Sequence, residues 1–87
     1  MFRMTIEDVF TIRGRGTVVT GRVESGQLRV GDEVRVNDTM AVTVDGIESF
    51  RKTLTEAGPG DNIGVLFKSL KREQLNRGDV LTAPFLV

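Results

Sequence analysis

The run from Asp8 to Gly21, Asp-Val-Phe-Thr-Ile-Arg-Gly-Arg-Gly-Thr-Val-Val-Thr-Gly, does most to limit the folds open to this chain. Val9, Thr11, Thr17, Val18, Val19 and Thr20 are β-branched, a residue type that suits a pleated, half-buried surface. Between the two β-prone halves stands Arg13-Gly14-Arg15-Gly16. Its glycines can take the positive φ that a tight strand connection demands. The stretch therefore reads as a hairpin with two arginines at its tip, the first hairpin of a small β-barrel.

The rest of the chain repeats this pattern of short strand, turn, short strand. Thr5 to Ile12 reads as one strand and Thr17 to Glu24 as its partner, with a turn at Ser25-Gly26. Glu33-Val34-Arg35-Val36 alternates polar and apolar, as a strand wet on one face does. Asn37-Asp38-Thr39 is a turn cluster. Ala41 to Ile47 reads as a further strand, and Phe50 to Leu54 as extended chain beyond a bulge near Gly46 or Ser49. Gly58-Pro59-Gly60-Asp61 is the strongest turn signal. Ile63 to Phe67 is a continuous apolar run, as expected of a strand covered on both faces. Ser69 to Leu75 has room for one helical turn with Leu70 inward, Val80-Leu81-Thr82 is a last strand, and Pro84 ends the domain. A Gly-Asp pair precedes a strand three times, at Gly31-Asp32, Gly60-Asp61 and Gly78-Asp79, at unequal spacings: one turn solution reused, not a repeat array. The expected fold is all-β: a single domain over residues 1–87, a small closed antiparallel barrel, a form that removes exposed strand edges.

Composition narrows the functions. The 87 residues contain no Cys, His, Trp or Tyr. Disulfides, thiol nucleophiles and thiolate metal sites are excluded, and the commonest general base and metal ligand is missing. Ser25, Ser49 and Ser69 have no histidine to activate them. Enzymatic activity, a metal site and a cofactor are not expected. Twelve Lys and Arg balance twelve Asp and Glu, so any nucleic-acid contact must be local rather than carried by bulk charge. No apolar run approaches the ~18–20 residues of a membrane span. Glu7 and Asp8 follow Met1-Phe2-Arg3-Met4 too soon for a signal-peptide core. A cytoplasmic location fits.

Several short motifs have a plain reading beside a functional one. Gly14-Arg15-Gly16-Thr17 lacks the lysine and the following helix of a phosphate loop, which leaves a hairpin turn. Arg77-Gly78-Asp79 matches an adhesion tripeptide but reads as the third Gly-Asp turn. Lys68, Lys71 and Arg72 form a modest basic cluster, offset by Glu73. Glu7 and Asp8 are either solvated strand-end carboxylates or part of a site, and neighbours on one strand point to opposite faces. Phe10, Phe50 and Phe67 are core residues by default, unless one stands at a pocket rim to stack on a base.

In family order over nearly the whole chain come Ile6 to Phe10, Gly14 to Val23, Gly46-Ile47-Glu48 with Phe50-Arg51-Lys52, Asn62 to Leu66, and Lys71-Arg72-Glu73 with Arg77-Gly78. Together they resemble the second domain of bacterial elongation factor Tu, the translational GTPase that carries aminoacyl-tRNA. The resemblance implies a six-to-seven-stranded translation-factor barrel that holds the 3′ terminal adenosine and its esterified amino acid. It places Glu7 and Asp8 near the terminal ribose, Glu48 against the adenine, Phe10, Thr20 and Asn62 in the amino-acid pocket, and Arg51 beside it. It places Gly14 and Arg15 toward small-subunit ribosomal RNA. The chemistry agrees: Glu48 can accept from a hydroxyl or amino group, Phe10 supplies an apolar wall, and Asn62 both donates and accepts. The chain departs from the family pattern at Thr5, where proline is usual, at Ser49, where a larger apolar residue is usual, and in a shortened loop around Asn37 to Met40. No GTP-binding domain is expected in these residues. The alternative reading is a ribosome- or protein-interaction module with a vestigial pocket, or a domain that acts only when joined to a GTPase; a monomer is expected either way.

Overall fold

The computed structural model describes residues 1–83, so the expected domain end at Pro84 lies outside the described residues. Eleven strands follow one another: β1 (Arg3–Thr5), β2 (Asp8–Ile12), β3 (Gly16–Ser25), β4 (Leu28–Arg29), β5 (Glu33–Val36), β6 (Met40–Thr43), β7 (Gly46–Ser49), β8 (Lys52–Leu54), β9 (Glu56–Ala57), β10 (Asn62–Phe67) and β11 (Val80–Thr82). A single 3-10 turn, Arg72–Gln74, lies between β10 and β11. The ladders run β6-β5-β11-β1-β3-β10-β7-β8, with β2 also on β3 and a separate β4–β9 pair. All are antiparallel. The sheet curls into a half-barrel of the expected all-β class.

The long strand β3 is the spine. Its first half pairs β2 on one side and β10 on the other, and its second half passes to β1. Thr17-Val18-Val19-Thr20 is an unbroken β-branched run, and because successive side chains point to opposite faces it puts a buried valine on each face. The concave side holds the core, which includes Phe2, Met4, Ile6, Val19, Ile47, Val65, Phe67 and Leu81. Val18 and Leu66 are also buried, yet neither belongs to that core; they lie on the convex side. This explains the unbroken apolar run Ile63 to Phe67.

Three expected strand spans are corrected. Thr5 to Ile12 breaks at Ile6-Glu7 because Ile6 exchanges backbone hydrogen bonds with the Gly78-Asp79 loop while Glu7 N–H turns to the Thr20 carbonyl. Ala41 to Ile47 breaks at Val44-Asp45, where the chain leaves β5 for β10: Val44 bonds Gly31 and Asp32, and Asp45 N–H donates to Leu66. Phe50 to Leu54 is not extended after a bulge. Phe50 and Arg51 take φ of 41° and 67°, and Ser49 pairs with Lys52, so two residues close a β7–β8 hairpin. The eleven segments, against six or seven strands, follow partly from these breaks.

The Gly-Asp turns prove to be one device. Asp32, Asp61 and Asp79 each accept through Oδ2 from the backbone N–H three residues back, at 2.9 Å. Each also donates its own N–H to that residue's carbonyl, at 3.0–3.1 Å. Gly31, Gly60 and Gly78 take φ of 96°, 89° and 90° at the position of a type II turn that requires it. Asp79 is thus spent on closing its turn and on Asn37 Nδ2, at 3.0 Å.

Candidate functional site

Strand register sets three rows of side chains across the convex face, because directly opposed residues share a face. The first row is apolar: Phe10 opposes Val18, Val18 opposes Leu66, and Leu66 opposes Gly46. The second carries carboxylates at both ends: Asp8, Thr20, Gly64, Glu48. The third begins with Arg22 opposite Asn62. It continues to the β7–β8 turn, where Ser49 Oγ donates to the Asn62 carbonyl at 3.0 Å and Arg51 follows.

A cavity of about 330 Å³ opens on these rows, lined by Glu7, Thr20, Glu48, Arg51 and Asn62 among others. The size is at the lower end of the range of about 300–1,000 Å³ typical for small-molecule sites. Val18 and Gly64 also line it. Gly64 keeps it open, since a Cβ there would stand 3.1 Å from Val18 Cγ1. Five of the seven residues expected in the pocket are therefore brought together. The other two are not on its lining. Asp8 shares the carboxylate row but is engaged by Arg77, Oδ1 to Nη2 at 2.7 Å. Phe10 is 49% exposed beside Val18, at the margin of the face. Neither Phe10 nor Phe50 is a core residue; only Phe67 fills that expectation.

Sequence reasoning missed Phe50, which lines the cavity and is 94% exposed. The missed signal was the two-residue gap between Ser49 and Lys52, hidden because a phenylalanine at positive φ is rare.

The arginine tip reaches the same site. Gly14 and Arg15 lie in the β2–β3 turn, and Arg15 Nη2 approaches Glu48 Oε1 at 3.1 Å. That oxygen is buried and receives no aligned hydrogen bond, so the guanidinium holds it by charge rather than by a directed N–H. Glu48 thus stands between this cavity and a second one of about 290 Å³, which Gly14, Arg15 and Lys68 line. Among the described residues, Glu7 and Arg51 form no ion pair. The cavity therefore offers a free carboxylate, a free guanidinium and the Asn62 carboxamide over an apolar floor.

A family model, elongation factor Tu domain 2, matches residues 16–82. The structure also superposes on that of a bacterial selenocysteine-specific elongation factor, EF-Sec, with a TM-score of 0.87 at 23% identity. The match covers 95% of this chain and 14% of that one, so the chain spans a small part of the relative it resembles. With the family model covering most of its length, the chain belongs to the elongation factor Tu domain 2 family.

Proposed function

We propose that this domain is a non-enzymatic module of translation that binds the 3′ aminoacyl-adenosine end of aminoacyl-tRNA. The observation that carries this reading is the convergence of Glu7, Thr20, Glu48, Arg51 and Asn62 on one cavity. Carboxylates accept from ribose hydroxyls and an α-amino group, the carboxamide serves the ester carbonyl, and the apolar floor takes a base or side chain. In this reading the domain uses no cofactor, acts as a monomer and works in the cytoplasm. Few contacts are available, so affinity is weak, a Kd of about 10⁻⁴ M or poorer. Titration with a non-hydrolysable 3′-aminoacylamido adenosine tests it. Binding is expected for the native chain and loss of binding for Gly64→Val, which fills the cavity. Equal binding by both, or none by the native chain, contradicts the reading.

A second reading has its own observation. Arg13 is exposed at the hairpin tip and, among the described residues, has no ion-pair partner. It is available to an RNA phosphate, such as one of the small ribosomal subunit. Weaker co-sedimentation of Arg13→Ala with small subunits, while Gly64→Val sediments like the native chain, supports this role.

A further inference from the structure

The third row holds a cation that the cavity does not use. Arg22 is exposed and directly opposite Asn62, on the same face of the sheet. Its Nη2 lies over the Gly58–Asp61 turn, 3.9 Å from where a Cβ on Gly60 would stand. The acids nearest along its two strands are committed elsewhere. Glu24, two residues on, takes Arg3 Nε at 2.9 Å and the Thr5 hydroxyl at 2.6 Å. Asp61 closes its own turn on Gly58 N–H at 2.9 Å. Among the described residues Arg22 has no ion-pair partner.

Glu7, Glu48, Arg51 and Asn62 share the cavity lining, and Arg22 stands directly across the ladder from Asn62, outside that lining. We infer that Arg22 is a further binding residue, which takes a phosphate oxygen of the ligand just outside the cavity, beside Asn62. A guanidinium suits that task, since it presents two parallel N–H groups to phosphate. The inference rests on the nucleoside reading of the cavity and extends it by one anionic group.

The two are separated by comparing adenosine with adenosine 5′-monophosphate, each titrated into the native chain and into Arg22→Gln. The native chain is expected to bind the monophosphate about three- to tenfold tighter than adenosine, on the strength of one charge-assisted contact discounted for exposure. Arg22→Gln is expected to abolish most of that preference and leave adenosine affinity in place. A preference of the same size in Arg22→Gln, or none in the native chain, overturns the role of Arg22 while the cavity reading stands. Failure of adenosine itself to bind overturns both.

Discussion

Glu24 shows how much one exposed side chain can organise. Its carboxylate takes the Thr5 hydroxyl, the Arg3 guanidinium and the Thr5 N–H where β1 shifts register against β3. The Thr5 hydroxyl first, and Arg3 next, hold its pKa below the ordinary value of 4.5. A depressed carboxyl favours the fold above the unfolded-state pKa, and that contribution is lost as pH falls through the folded one. NMR titration is expected to give Glu24 a midpoint below the usual glutamate range, with Thr5→Val moving it upward; an unmoved midpoint contradicts the assignment. Arg15 is a second case. Its link to Glu48 is half-exposed, so Arg15→Ala is expected to cost under ~1 kcal/mol in chemical denaturation. Its larger effect belongs to the cavity, where Glu48 loses the charge that holds it. Both contacts were invisible in the sequence, because Glu24 and Arg15 meet their partners only through strand register.

At the scale of turns and strands, the Gly-Asp device gives a graded prediction. Asp32→Ala and Asp61→Ala each remove a side-chain bond to backbone, and each is expected to cost ~0.5–1.5 kcal/mol in urea unfolding. Asp79→Ala is expected to cost more, because Asp79 also holds Asn37, whose Oδ1 in turn accepts Val80 N–H at 2.9 Å. Equal costs at all three positions would contradict this ordering. The β7–β8 turn predicts a gain. Two non-glycine residues at positive φ cost ~1–3 kcal/mol each. Replacing Phe50-Arg51 by Asn-Gly is expected to stabilise the fold by ~1 kcal/mol or more and to weaken ligand binding. A stability loss would show that Phe50 packs where the structure has it exposed. The repeated Gly-Asp pairs were legible because they lie adjacent in sequence and their φ demand is local. The Phe50-Arg51 turn was not, because no local preference favours it; pairing of β7 with β8 imposes it.

Across the whole molecule, legibility followed the same division. Alternation in Glu33 to Val36 and the apolar run after Asn62 announced strands, and the all-β class followed from them. The resemblance brought Glu7, Thr20, Glu48, Arg51 and Asn62 to one place, and the structure gathers all five on one cavity. Asp8 and Phe10 fell outside it through long-range effects, the reach of Arg77 and the position of β2 at the margin of the face. The second apolar layer, Val18 and Leu66, gives the convex face a floor distinct from the core and frees that face to bind. The most direct test of this account is amide chemical-shift mapping with the 3′-aminoacylamido adenosine. The largest shifts are expected on Glu7, Thr20, Glu48, Asn62 and Gly64. Shifts confined to β5, β6 and β11, with those five residues still, would contradict it.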